Sequence, residues 1–138
     1  MLNGTQNGLP SLVLVSHSAT LVEGLAELVA QVAGPDVSIV AVGGTDDGSL
    51  GCDGGKVLEA LQEAAAGAGA VVLMDIGSSV LAVKAALAEL SPEEVERLVV
   101  ADAPLVEGAI AAGVAASTGA SPTEIAQTAQ EARSAAKL

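Results

Sequence analysis

Short apolar runs and amphipathic segments alternate along the chain. Four runs have the length and the β-branched content of buried strands, and they cover residues 12–15, 37–42, 70–74 and 98–101. The segments between them repeat apolar residues at helical spacing, which predicts helices over 20–32, 56–66 and 105–117, another after Ser79 and a last one opened by Ser121. In the first helix, the predicted inner face carries Leu21, Val22, Leu25, Leu28, Val29 and Val32.

This alternation is typical of parallel βαβ units joined by right-handed crossovers. We expect the α/β class, with one open sheet of four parallel strands in the order 2-1-3-4 and helices on both faces. The 138 residues suffice for one core, so we expect a single domain over residues 11–138 after a flexible leader over residues 1–10. Strands 1 and 3 are then neighbours that the chain leaves in opposite directions, which is where such folds bind ligands.

The only histidine of the chain, His17, stands between the first strand and the first helix. Asp75 directly follows the third strand, so the expected strand order brings the two side chains together across the crevice. A carboxylate that accepts a hydrogen bond from one ring nitrogen leaves the other nitrogen as a nucleophile. We therefore expect His17 and Asp75 to be catalytic residues.

Serines and glycines surround this pair in the sequence. The start of a helix offers unpaired backbone N–H groups and the positive end of its dipole, both of which favour a phosphate. The expected phosphate-binding residues are Ser16, Ser18, Gly43, Gly44, Thr45, Gly77, Ser78 and Ser79. Capping of the following helix is the alternative role for Ser16, Ser18, Asp75, Ser78 and Ser79.

Several other chemistries lack their sequence signatures. The chain has no G-x-S-x-G segment for a serine hydrolase, no P-loop, and no G-x-G-x-x-G pattern for a dinucleotide. Its single cysteine, Cys52, stands next to an acidic residue, which does not activate a thiol, and the chain has no Cys/His set for zinc. We expect a covalent phosphohistidine intermediate and neither a cofactor nor a metal.

The charge of the chain narrows the possible partners. Seventeen acidic residues against five basic ones give a net charge of −12, and aromatic residues are absent. Phosphate neutralisation and base stacking are both excluded, so we expect no nucleic-acid binding. No apolar run approaches the ~20 residues needed to cross a bilayer, and the first ten residues do not form a secretion signal. We expect a cytoplasmic protein with no membrane partner.

Three glycines, Gly24, Gly108 and Gly113, fall inside predicted helices. Each costs about 1 kcal/mol relative to alanine. Close helix packing, within the subunit or across a dimer interface, is the expected compensation.

From about residue 12 onwards, the chain resembles the mannose-type IIA domains of the phosphoenolpyruvate-dependent phosphotransferase system (PTS), in the branch that serves dihydroxyacetone kinase. The resemblance rests on LVSHS at 14–18, GGTDDG at 43–48 with LGCD at 50–53, MDIGSS at 74–79 and APLVEG at 103–108. The last two segments are the most specific. Sugar-transporting members carry a DLFGGSP motif after the third strand, which this chain lacks.

The resemblance implies a phosphotransferase activity. The phosphocarrier protein HPr would phosphorylate His17, which would pass the group to ADP on the DhaL-type subunit of dihydroxyacetone kinase, for phosphorylation of dihydroxyacetone. By the same resemblance, Asp75 would orient His17 and the domain would form a homodimer. Cys52 departs from the family pattern, in which a threonine is expected.

Two alternative functions remain open at the level of the sequence. A sugar-specific IIA component of the mannose type would need a membrane permease as its partner. A non-catalytic regulatory module would keep the fold without the chemistry.

Overall fold

The computed structural model describes residues 8–138, which form an α/β domain around one parallel sheet. The sheet has the strand order β2-β1-β3-β4, as predicted, and all of its pairings are parallel. The strands are β1 (Ser11–Ser16), β2 (Ile39–Gly43), β3 (Ala70–Met74) and β4 (Leu98–Val100).

Within residues 8–138, six α-helices connect and flank these strands. They are α1 (Ala19–Ala33), α2 (Gly54–Ala65), α3 (Gly77–Ala88), α4 (Pro92–Glu96), α5 (Leu105–Ser117) and α6 (Pro122–Glu131), and a 3₁₀ turn over Ala132–Ser134 follows α6. Ser91 and Ser121 begin α4 and α6 with complete capping boxes, in which serine and glutamate satisfy each other's backbone N–H groups.

Helices cover both faces of the sheet, as predicted. Alternate residues of β1 point to opposite faces, so Leu12 and Leu14 pack with α1, α5 and α6, whereas Val13 and Val15 pack with α2 and α3. The four strand residues are fully buried. Since helices cover both faces, only the edges of the sheet and its loops are accessible to solvent. The candidate site lies at the edge formed by the carboxyl ends of the strands.

The predicted inner face of α1 is partly wrong. Val22, Leu25 and Val29 are buried with Ala33, but the side chains of Leu21, Leu28 and Val32 point to solvent and are 43–51% exposed. Successive helical residues are rotated by about 100°, and one stripe at spacing three to four is enough to contact the sheet. The remaining apolar residues of α1 form a second stripe that the subunit does not cover.

The glycines inside helices divide into two groups. A Cβ on Gly108 would lie 3.0 Å from the Cβ of Ala103, and one on Gly113 would lie 2.8 Å from a methyl carbon of Val29. These two glycines permit the close packing of α5 that was predicted. Gly24 has no neighbouring atom within 4 Å of the Cβ position, so packing inside the subunit does not account for it.

The expected leader over residues 1–10 falls mostly outside the described residues. Within the described part, Leu9 packs against the core and Pro10 is buried, so the packed structure begins ahead of residue 11. Among residues 8–138, no helix is long and apolar enough to cross a membrane.

Candidate active site

The candidate site forms where β1 and β3 end side by side. The backbone N–H of Asp75 donates to the carbonyl of Val15 at 3.0 Å, which extends the pairing of these strands to the site. The side chains of His17 and Asp75 meet there, with Nδ1 of the imidazole 3.0 Å from Oδ1 of the carboxylate. The side chain of His17 is 26% exposed and that of Asp75 is 17% exposed. The imidazole is thus held by Asp75 at Nδ1, while part of the ring remains accessible to solvent.

Hydrogen-bond donors surround the carboxylate of Asp75. Oδ2 accepts from the Ser16 hydroxyl at 2.8 Å and the His17 backbone N–H at 2.9 Å. Oδ1 accepts from the Ser79 hydroxyl at 2.6 Å and the Ile76 backbone N–H at 2.7 Å, in addition to facing the imidazole. Burial alone would raise the pKa of Asp75, but the hydrogen bonds from Ser79, His17, Ile76 and Ser16 outweigh it and hold that pKa well below its usual range.

The charge on Asp75 determines the tautomer of His17. An ionised carboxylate only accepts hydrogen bonds, so Nδ1 of the neutral imidazole must carry the proton. The lone pair then lies on Nε2. Nε2 contacts the hydroxyl of Ser78, which donates to that lone pair. Nε2 is therefore the ring nitrogen whose lone pair is available to act as a nucleophile.

The two helices that begin at the site differ in their first turns. Ser18 caps α1, because its hydroxyl accepts a hydrogen bond from the backbone N–H of Leu21 at 3.1 Å. The helix α3 begins after Ile76, which provides no side-chain cap. Gly77 allows the sharp entry into α3 with a φ of +24°. Because α3 lacks a cap, its first turn keeps N–H groups that an anion beside Nε2 can accept from.

The structure gives several of the expected phosphate-binding residues other partners. The hydroxyls of Ser16 and Ser79 are fully buried and donate to Asp75, so they support the imidazole from behind. The hydroxyl of Thr45 donates to Asp47 at 2.6 Å, within its own loop. Of the expected hydroxyl donors, only that of Ser78 contacts Nε2.

Gly43 and Gly44 bring the end of β2 close to the start of α1. A Cβ on Gly43 would lie 2.8 Å from the carbonyl oxygen of Ser18, and one on Gly44 would lie 3.2 Å from the Cβ of Ala19. Any larger residue would displace the turn that carries His17. These glycines shape the site by close approach.

Cys52 lies directly behind this arrangement. It pairs with Gly44 in an isolated parallel bridge and is partly buried against the core. Burial raises the pKa of the Cys52 thiol, and the nearby charges of Asp75 and Asp53 add to this, while the hydrogen bond with Ser79 opposes it. The thiol therefore stays protonated at neutral pH, as its acidic neighbour predicted.

Three exposed apolar side chains near the site were not singled out from the sequence. Leu50 is 78% exposed, Ile76 is 70% exposed and Leu81 is 66% exposed. The available signal was weak: Leu50 is an apolar residue within a polar, glycine-rich loop, and Ile76 occupies a helix-capping position where a polar residue is usual.

The fold and the site together define an open α/β domain with a carboxylate-oriented histidine at the switch point of its sheet. Residues 11–126 match the family model EIIA-man, the PTS system fructose IIA component. The match spans most of the chain, so the chain belongs to this family.

Within the family, curated relatives point to the dihydroxyacetone kinase branch. The chain is 41% identical over 124 residues to the "PEP-dependent dihydroxyacetone kinase, phosphoryl donor subunit DhaM" of Providencia stuartii. It is 39% identical over 104 residues to subunit DhaM of kinase 2 of Listeria innocua, and 42% identical over 113 residues to DhaM of Escherichia coli K12. These matches cover 88%, 75% and 80% of this chain. They confirm the resemblance that the sequence motifs indicated.

The chain and its relatives differ in length. The match covers 83% of the Listeria innocua relative, whereas it covers only 26% of the Providencia stuartii relative and 24% of the Escherichia coli relative.

A solved structure has a similar fold. The crystal structure of the unknown-function protein EF1359 superposes with a TM-score of 0.79 at 34% identity, over 88% of this chain and 94% of that one.

Proposed function

We propose that this chain is a phosphocarrier. Nε2 of His17 accepts a phosphoryl group from phosphorylated HPr and passes it to ADP on a DhaL-type subunit of dihydroxyacetone kinase, which uses it to phosphorylate dihydroxyacetone. The observation that carries the proposal is the contact of 3.0 Å between Nδ1 of His17 and an ionised Asp75, which leaves Nε2 as an exposed nucleophile. The names of the relatives supply the class of acceptor. The proposal keeps the cytoplasmic location expected from the sequence.

In the first step, the lone pair of Nε2 attacks the phosphorus atom of the donor. A P–N bond forms to Nε2 while the P–N bond of the donor breaks, and the electron pair of the broken bond stays on the donor nitrogen. The proton on Nδ1 does not move, because Asp75 stays ionised and stabilises the positive charge that develops on the ring. The hydroxyl of Ser78 turns from Nε2 to a phosphoryl oxygen, and the uncapped first turn of α3 at Gly77 donates to the others.

In the second step, a terminal phosphate oxygen of ADP attacks the same phosphorus atom. A P–O bond forms, the P–N bond to His17 breaks, and its electron pair returns to Nε2. The site is then ready for another donor. Catalysis on this side consists of positioning and electrostatics, since the domain holds the imidazole in one tautomer and one orientation throughout.

Intact mass tests the proposal after incubation with phosphoenolpyruvate, enzyme I and HPr. We expect the gain of one acid-labile phosphate, its absence in His17→Ala, and its loss when an ADP-loaded DhaL-type subunit is added. A phosphate that forms but is discharged only by a sugar permease component would favour the sugar-specific alternative. Failure of His17 to be phosphorylated would overturn the proposal in favour of a regulatory module.

The proposal includes a homodimer. It is supported by the second apolar stripe of α1, where Leu21, Leu28 and Val32 are exposed and Gly24 leaves open space between them. A glycine at the centre of such a stripe allows two helices to approach closely, which would offset its conformational cost. Sedimentation equilibrium should show a dimer for the wild type and a monomer for Leu28→Glu. A wild-type monomer would refute this part of the proposal alone.

A further inference from the structure

Within residues 8–138, the sheet has two edge strands, β2 and β4, and the edge of β2 is the longer one. The strand β2 has five residues, whereas β4 has three. Natural proteins protect such edges by keeping the strand short or by placing charged side chains or proline on it. The strand β4 is short, but β2 has the sequence IVAVG, with neither a charge nor a proline. A long apolar edge without this protection is a template for pairing with another chain.

The register of the sheet identifies which backbone groups of β2 point away from it. The N–H of Leu12 donates to the carbonyl of Ser38 at 2.9 Å, and every second residue of a strand directs its backbone groups to the same neighbour. Val40 therefore faces β1, whereas Ile39 and Ala41 direct their N–H and C=O groups outwards. Among residues 8–138, no hydrogen bond uses these outward groups. They are available to one added strand.

A groove lies on each side of this edge. On one face of the sheet, Val37, Ile39 and Ala41 form the floor of a groove of about 740 Å³ beside α1. On the other face, Val40 and Val42 adjoin a groove of about 220 Å³ beside α2. The side chains of an added strand would alternate between the two faces. Long side chains would then enter the larger groove, and short ones would enter the smaller groove.

The charge of these grooves indicates what kind of strand they accept. Among the described residues that line them, Lys56 is the one cation, and it pairs with Asp46 at 3.2 Å. Four exposed glutamates border the grooves, two on α1 and two on α2: Glu23, Glu27, Glu59 and Glu63. The aliphatic part of a lysine or arginine can lie on the apolar floor while its charged end reaches these carboxylates. A second copy of this chain would instead bring four more glutamates to the same edge, which like-charge repulsion disfavours.

We propose that the outer edge of β2 binds an extended segment of a partner protein, with lysine or arginine at alternate positions, which adds a fifth strand to the sheet. Backbone hydrogen bonds to Ile39 and Ala41 provide affinity, and the glutamates select basic side chains. The inference goes beyond the proposed function and does not depend on it, because the side-chain hydrogen bonds of His17 and Asp75 involve no residue of β2.

A synthetic peptide of alternating lysine and valine, KVKVKVK, tests the proposal at low ionic strength, with EVEVEVE as the matched control. Calorimetry measures the affinity, and amide hydrogen exchange followed by NMR locates the bound strand. We expect KVKVKVK to bind and to slow the exchange of the Ile39 and Ala41 amides by about tenfold or more, because both become hydrogen-bonded. The glutamate peptide should bind at least about tenfold more weakly.

Variants at the edge separate backbone pairing from attraction by charge. Ala41→Pro removes an outward N–H and should weaken binding of KVKVKVK by about tenfold or more, since proline is tolerated on an edge strand but cannot donate. Val100→Pro places proline at an outward position of β4 and should bind as the wild type does. If Ala41→Pro fails to fold by circular dichroism, Ala41→Lys replaces it, because a lysine there occupies the larger groove and repels the peptide.

The glutamates are tested by removing equal charge at two places. The double variant Glu23→Gln/Glu27→Gln should bind KVKVKVK several-fold more weakly and with a smaller dependence on salt. The double variant Glu89→Gln/Glu131→Gln, at the ends of α3 and α6, removes the same charge away from β2 and should bind as the wild type does. Equal weakening in both double variants would mean that only the net charge attracts the peptide, which would overturn the selection by these grooves.

The remaining outcomes also decide the proposal. Absence of binding, or binding that leaves the exchange of the Ile39 and Ala41 amides unchanged, would overturn it. Loss of a wild-type dimer in Ala41→Pro by sedimentation equilibrium would show that β2 pairs with a second copy, which would also overturn it. Phosphorylation of His17 by phosphoramidate should be equal in Ala41→Pro and the wild type, so failure of this inference leaves the phosphocarrier proposal standing.

Discussion

Two strand-to-helix junctions meet at the site, and they are built in opposite ways. After β1, Ser18 caps α1 with its own hydroxyl, so the chain itself satisfies that helix start. After β3, the apolar Ile76 stands at the capping position of α3 and leaves the first turn without a side-chain partner. An omitted cap costs about 1 kcal/mol. The helix after His17 is thus capped by its own serine, while the helix after Asp75 keeps free N–H groups in its first turn, as the proposed phosphoryl transfer would require.

The serines at the two junctions follow the same division. Ser16, before His17, and Ser79, in the first turn of α3, both donate to Asp75 and are fully buried. Ser78, next to Ser79, faces the exposed nitrogen of the imidazole. The three serines thus have different partners: Ser16 and Ser79 bind the carboxylate, and Ser78 contacts the exposed ring nitrogen.

The largest expected effect comes from removing the charge that connects the junctions. In Asp75→Asn, the amide can present N–H to Nδ1 and favour the wrong tautomer, so the rate of phosphorylation of His17 should fall by about 10²- to 10⁴-fold. Phosphoramidate as the donor excludes an effect on docking. Asp102→Asn, which alters an exposed aspartate paired with Arg133, is the control and should keep the wild-type rate. A rate for Asp75→Asn within threefold of the wild type would refute the orienting role.

Loss of one hydrogen bond to Asp75 should slow phosphorylation less than loss of its charge. Ser79→Ala removes a buried hydrogen bond to a charged group, which costs about 1.5–3 kcal/mol of unfolding free energy. We expect a rate decrease of about tenfold and partial loss of the Nδ1–H tautomer in ¹⁵N NMR spectra of His17. Ser117→Ala, at an exposed position where the hydroxyl bonds its own helix, is the matched control. A destabilised variant with an unchanged tautomer would assign Ser79 a purely structural role.

Acid should weaken the site through the same carboxylate. The pKa of Asp75 is lower in the folded chain than its ordinary value of 3.8, so its contribution to stability is complete above about pH 4 and is lost as the pH falls further. Urea unfolding of the wild type and Asp75→Asn should show a difference in stability that is constant near neutrality and shrinks below pH 4. A difference that stays constant down to pH 2 would contradict the lowered pKa.

One substitution at position 76 can supply the side-chain cap that α3 lacks. In Ile76→Ser, the new hydroxyl can cap α3, which should raise the unfolding free energy of the unphosphorylated chain by about 1 kcal/mol. The same cap competes with the phosphoryl group for the N–H donors, so the phosphoramidate rate should fall several-fold. Ile76→Ala, which has no capping group, separates the two effects. Equal stability and rate in the serine and alanine variants would show that the open start of α3 has no role.

The smallest effect on chemistry is expected at the closed junction. Ser18→Ala removes the cap of α1 and should cost about 1 kcal/mol of unfolding free energy, with the phosphoramidate rate within about threefold of the wild type. Thermal unfolding and the rate are measured on the same preparation. A rate loss as large as that of Ile76→Ser would mean that Ser18 serves the phosphoryl group as well as the helix.

Much of the architecture follows from patterns along the chain. The strands at 70–74 and the helix at 105–117 begin and end where the sequence predicted, since apolar runs and proline or serine punctuation mark both. The strand order and the approach of His17 to Asp75 also follow, because parallel strands present their carboxyl ends at one edge. The sequence patterns did not resolve which of the nearby hydroxyls contact Asp75 and which contacts Nε2, nor which apolar residues of α1 are buried.

The fold class, the strand order and the candidate nucleophile all follow from the sequence, because periodicity and residue type act over whole segments and this chain has a single histidine. The folded chain is needed to see that Ser16 and Ser79 bind Asp75 while Ser78 contacts Nε2. Hydrogen-bond partners depend on direction over a few tenths of an ångström, which spacing along a chain does not encode. The same limit explains α1: periodicity defines two apolar stripes, and only contact with the sheet selects the one that is buried.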